Sequence, residues 1–236
     1  MGPRSPLERY RTAILGAVVV AVVAAGGALL FLQAAQPTYA CDSILAPAPA
    51  ATAAPGATPR LGQVTSDLGR AHVATGEKIR YAFCPPTSGP HYNETSDGPI
   101  PARFYRAADR TAPDGWVHNL EHGQMTVLYR CPEGCDDTAQ AALAALQAEL
   151  PPSPLCGFAP ATSVPVTRFD DLPTPYAAVV WGRVLFLSTL DVPQISTFWQ
   201  QSGDRGPEPE CPNAAPGASP SAAPGASPSP AATAAP

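Results

Sequence analysis

Residues Ala13 to Leu32 form an apolar run interrupted only by Gly16, Gly26 and Gly27, and a run of this length matches the roughly twenty residues that carry a helix across a bilayer. A transmembrane helix is therefore expected over 12–32. Arg4, Arg9 and Arg11 precede it, while Gln33 to Ile44 carries no Lys or Arg, so the positive-inside rule puts a stub of residues 1–11 in the cytoplasm and the rest of the chain outside. A cleaved signal peptide ending at Thr38-Tyr39-Ala40 is the competing reading. It is disfavoured because the apolar run exceeds a signal core and Gln33 to Gln36 separates it from the cleavage-like residues. Cys41 also lacks the adjacent apolar core that a lipid-bearing cysteine presents.

Two further stretches cannot fold. The linker 33–60 includes Ala46 to Pro59, an Ala/Pro/Thr segment with no large apolar residue, and is expected to be an extended spacer. The tail 212–236 repeats Ala-Ala-Pro-Gly-Ala-Ser-Pro-Ser and is expected to be disordered. What remains, 61–211, has the size of one domain. A net charge of −5 with Lys78 as the sole lysine provides no basic patch, so nucleic acid is not an expected partner. The membrane, through one helix, is; an envelope protein or small-molecule partner is left unnamed. Six cysteines outside the membrane point to disulfides, with fifteen possible pairings. Cys131 or Cys135 with Cys156, and Cys41 with Cys211, are the pairings that would brace the domain.

Within 61–211 the pattern predicts a helix from Thr138 to Leu150, capped by Asp136 or Asp137, with Leu143, Leu146 and Leu150 on one stripe. A second helix is predicted from Asp191 to Gly203, burying Ile195, Phe198 and Trp199. Strands are predicted over Lys78 to Phe83, Met125 to Tyr129, Ser163 to Phe169, Ala177 to Trp181 and Val184 to Leu187; Gly182-Arg183 between the last two suits a tight hairpin or a bulge, and one bent strand is the favoured reading. The expected class is α+β: a small mixed sheet with a few helices, preceded by the transmembrane helix.

Three of the four histidines fall in two polar clusters, Pro85-Pro86-Thr87-Ser88-Gly89-Pro90-His91-Tyr92 and Trp116-Val117-His118-Asn119-Leu120-Glu121-His122-Gly123, while His72 stands alone. Imidazoles gathered with a carboxylate can bind a metal or pass protons. The expected metal set is His91, His118, His122 and Glu121, holding zinc or, with Met125 as a soft ligand, copper. His118 to His122 also fits the H-x-x-E-H pattern of inverted zinc peptidases, with Glu121 as general base and Glu149 as a formal third ligand. That reading needs a helix, and only about one helical turn is expected there. Ser88 lacks the elbow of a catalytic serine, Cys84 and Cys156 are secondary candidates as ligands, and a wholly structural role has His91 and His118 donating to loop carbonyls.

Those two strings, with Tyr129, Ala178 to Arg183 and Phe198 to Glu210, resemble an uncharacterised bacterial membrane-anchored family, domain of unknown function 3105. The resemblance spans roughly Gln63 to Glu210 and implies no activity. Three functions are carried forward: a metal-binding or sensing module, a non-catalytic envelope scaffold with structural histidines, and a metal-dependent hydrolase using Glu121. Catalytic residues are otherwise unknown.

Overall fold

A computed structural model describes residues 6–34, 37–49, 59–95, 97–109 and 111–211. Most of the Ala/Pro spacer and the whole tail 212–236 lie outside the described residues. The N-terminal helix, α1 (Pro6–Ala34), encloses the run expected to span a bilayer. Among the described residues no helix is long and apolar enough to cross a membrane, so the structure does not carry the assignment of 12–32.

The remaining elements, in chain order, are β1 (Tyr39–Cys41), β2 (Gln63–Val64), β3 (His72–Val73), β4 (Ile79–Tyr81), β5 (His91–Tyr92), α2 (Pro113–Glu121), β6 (Thr126–Tyr129), α3 (Asp137–Glu149), α4 (Pro160–Ser163), β7 (Val166–Arg168), β8 (Tyr176–Val180), β9 (Arg183–Leu187) and α5 (Val192–Ser202). The class is α+β, as expected. Five strands form a mixed sheet in the order β2-β9-β8-β6-β7, in which only β6 and β7 are parallel neighbours. Two smaller parallel pairs, β1–β4 and β3–β5, lie apart from it.

Period-two alternation sends β6 and β8 side chains to opposite faces. Val127, Tyr129, Ala178 and Val180 pack with Leu143 and Leu146 of α3 and Ile195, Phe198 and Trp199 of α5. Leu128, Ala177 and Val179 face Trp116, Val117 and Leu120 of α2. The sheet is thus sandwiched between α3 with α5 on one side and α2 on the other. Both α3 and α5 keep their expected caps: Asp136 accepts from the Thr138 amide, and Asp191 from the Gln194 amide.

Four expectations are corrected. The run 177–187 is not one bent strand but an antiparallel hairpin pairing Val180 with Arg183, turned at Trp181-Gly182 with Gly182 at φ +68°; both arms are apolar, so composition alone did not mark the reversal. The strand expected at 163–169 is confined to Val166–Arg168, its first residue, Ser163, belonging instead to α4, which starts at Pro160. A nine-residue helix, α2, stands where one turn was expected, because Pro113 presets the first helical φ and Asp114 suits the positive N-terminal end. Finally, residues 39–45, read as linker, run along 79–84: the Asp42 amide donates to Tyr81, Cys84 to Ser43 and Leu45 to Cys84. Even the spacer touches the domain, since Gln63 accepts from the Ala48 amide and donates to the Ala46 carbonyl.

The disulfides also differ from expectation. They join Cys41 to Cys84, Cys131 to Cys135 and Cys156 to Cys211. Strand pairing brings Cys41 beside the 79–84 segment, which a linker assignment for residue 41 concealed. Two of the bridges close separations of 43 and 55 residues, and loops of that size are worth about 4 kcal/mol each in the chain-entropy view. Replacing Cys41 and Cys84 together by serine is expected to lower unfolding stability by about 3 to 4 kcal/mol, measured by urea denaturation, and the same exchange at Cys131 and Cys135, which close only four residues of separation, by clearly less.

Candidate metal centre

β5 lies against α2, and the two bring the sequence clusters into contact. His118 and Glu121 are three apart and share one face of α2. The parallel register of β3 on β5 places His72 directly opposite His91. One ligand atom from each of His72, His91, His118 and Glu121 lies within 4.8 Å of all the others. His91, His118 and Glu121 are buried, at 0%, 3% and 1% exposure.

Glu121 Oε2 lies 3.0 Å from His91 Nε2 and 3.1 Å from His72 Nε2. Four ligands at about 2.1 Å around a tetrahedral ion sit roughly 3.4 Å from one another, so these contacts already have ligand-to-ligand spacing. The opposite ring nitrogens are anchored. His91 Nδ1 donates to the Gly89 carbonyl at 2.8 Å, and His118 Nδ1 to the Tyr92 carbonyl at 2.7 Å. A carbonyl can only accept, so both rings carry a proton on Nδ1 and direct Nε2 at the cluster. Metal-binding histidines are oriented in this way. Burial holds the His118 pKa below its ordinary value, keeping that ring neutral, although its bond to Tyr92 works in the other direction. Asn93 meets His72 Nδ1 at 3.1 Å.

Of the expected set, His91, His118 and Glu121 come together, and His122 does not join them. It stands at the C-cap of α2, where its Nδ1 donates to the Glu208 carbonyl at 3.0 Å and its ring lies 4.8 Å from that of His118. The helix that the H-x-x-E-H pattern requires exists, but its second histidine is turned to the closing segment and its glutamate sits among the donors. His72 takes the vacant role. The sequence carried no sign of this, because a two-residue strand in a polar stretch has no periodicity to read and a parallel partner nineteen residues away leaves no local mark.

The other candidates lie elsewhere. Met125 is buried in the α3–α5 core, Glu149 ends α3 on an exposed surface, and Cys84 and Cys156 are oxidised. Ser88 is buried and accepts from the Leu68 amide, so its hydroxyl secures the loop that enters β3. Thr87 likewise accepts from the Gly182 amide through its carbonyl. The Pro85 to Pro90 segment thus positions His91, as its stiffness implies.

Residues not foreseen complete the surroundings. The segment after α5 crosses the C-terminal end of α2: Asp204 donates through its amide to Gly123, and Glu208 to Glu121. The Glu208 carboxylate also pairs with Arg70 at 3.1 Å, near His72. Asp204, buried, accepts from the amides of Leu155 and Cys156, beside the Cys156–Cys211 bridge.

Residues 72–215 match the family described as "Protein of unknown function (DUF3105)". The chain belongs to this family. The match begins at His72 and takes in all four donors. No curated protein and no solved structure matches the chain.

A Cβ on Gly206 would stand 2.1 Å from the Glu121 carbonyl and 2.6 Å from that of Leu120, both fixed backbone. Gly206→Ala is therefore expected to cost at least about 2 kcal/mol through overpacking, read as a lowered thermal midpoint.

Proposed function

We propose that this protein is a membrane-anchored metal-binding module whose domain faces the outside of the cell. The observation that carries the metal reading is the convergence of His72, His91, His118 and Glu121 within 4.8 Å, with two imidazoles anchored at Nδ1. All six cysteines are in disulfides and Met125 lies in the core, which leaves no sulfur in the donor set. Three nitrogens and one oxygen suit zinc or Cu(II), not Cu(I). The anchored orientation rests on the apolar run at 13–32, the arginines before it, and three disulfides suited to an oxidising compartment. An envelope protein or small molecule would be the partner of such a module.

A second reading is the scaffold, favoured by the same carbonyl bonds, which hold His91 and His118 whether or not a metal enters. Metal analysis separates the two. The full chain, prepared with its disulfides formed and without chelators, is expected to hold about one equivalent of zinc or copper by mass spectrometry. The His91→Ala/His118→Ala variant is expected to hold none. Absence of metal from the parent, after challenge with both ions, leaves the scaffold standing; a turnover lost in Glu121→Gln with metal retained would instead support the hydrolase.

A further inference from the structure

The four donors are unequally placed. His91, His118 and Glu121 are buried between α2 and β5, whereas the His72 side chain is 40% exposed. His72 rides on β3, a strand of two residues whose sole strand partner among the described residues is β5. The residues around it, Gly69 to Ala71 and Ala74 to Lys78, are exposed. Gly69 and Gly76 bound this segment at φ +85° and +86°, with open space where a side chain would project. Main-chain bonds tie it to the β5 side, from the Gly89 amide to the Gly69 carbonyl and from the His91 amide to that of Ala71, and side-chain ties run from Arg70 to Glu208 and from the Tyr92 hydroxyl to the Glu77 carbonyl. Among the described residues no strand pairs with the other edge of β3.

Resting on the metal reading above, we infer that the centre is an exchange site that takes up and hands over its ion through the His72 edge. An incoming donor approaches from solvent on the His72 side. The bond from the metal to His72 Nε2 breaks as a bond to the incoming nitrogen or oxygen forms, no electron is transferred, and the freed imidazole returns to water. The three buried ligands hold the ion during this first substitution; donors of the acceptor, or water, then replace them one at a time, each protein–metal bond breaking as a new bond to the ion forms, and the ion leaves with the acceptor. The acceptor this geometry fits is a small chelating molecule, or a projecting histidine or carboxylate side chain. A centre buried on all sides would release its ion only when the domain opened locally, at a rate indifferent to the acceptor.

Zinc-loaded full-length protein is mixed with rising concentrations of the chromogenic chelator 4-(2-pyridylazo)resorcinol, and release is followed by absorbance. A rate rising in direct proportion to chelator concentration is expected. A rate that does not change with chelator concentration overturns the exchange path while leaving the metal site intact; a parent that holds no zinc overturns the metal reading itself, and the exchange path with it. His72→Ala is expected to retain zinc on the three buried ligands, more weakly than the parent, and to release it faster at every chelator concentration, because the position that His72 must vacate is already open. An affinity and release profile equal to the parent's would remove His72 from the path.

Discussion

A carboxylate at 1% exposure is the group around which this domain is arranged, because an unpaired buried charge costs several kcal/mol. Glu121 Oε2 lies within 3.1 Å of imidazole nitrogens from two different strands, a contact that brings β3 and β5 side by side against α2. All nine residues of α2 are buried, and Trp116, Val117 and Leu120 each contribute on the order of 2 kcal/mol by leaving water. That apolar gain offsets the cost of carrying Asp114, His118 and Glu121 inward on the same helix. Packing places the helix; the polar pairs decide its rotation and register.

The closing segment 203–211 makes the arrangement depend on distant parts of the chain. Glu208 contacts three places at once: the Glu121 carbonyl through its amide, His122 through its carbonyl, and Arg70 through its carboxylate. The surface ion pair contributes at most about 1 kcal/mol, but it joins the helix side of the centre to the strand that bears His72. The Cys156–Cys211 bridge then restrains the end of the segment. His122 accordingly serves this join, and the lone histidine occupies the place that its spacing from His118 promised.

Legibility followed the range over which a signal is written. The α3 and α5 helices, with Asp136 and Asp191 as caps and leucine or aromatic stripes, are local patterns and were readable. So were His91, His118 and Glu121, since short strings of unusual chemistry stand out without a fold. The hairpin at Gly182 was ambiguous because two apolar arms look alike whether they run on or fold back. His72, β1 and the Cys41–Cys84 and Cys156–Cys211 pairings were illegible for one common reason. Each depends on a pairing between short segments far apart in the chain, such as Tyr39 with Ile79 or His72 with His91, and neither member announces its partner.

The placement of Glu121 bears on what the centre can do. A general base in a metallohydrolase must stand beside a metal-bound water, free to take its proton. Here Oε2 lies at bonding distance from two imidazoles, which puts it among the donors and not across an open space from them. The inverted-peptidase pattern in His118 to His122 is thus met in sequence and in helicity but not in function of the parts, for its glutamate has become a candidate ligand and its second histidine a strut. Three buried donors and an exposed fourth accord with the retention and passage of an ion proposed above.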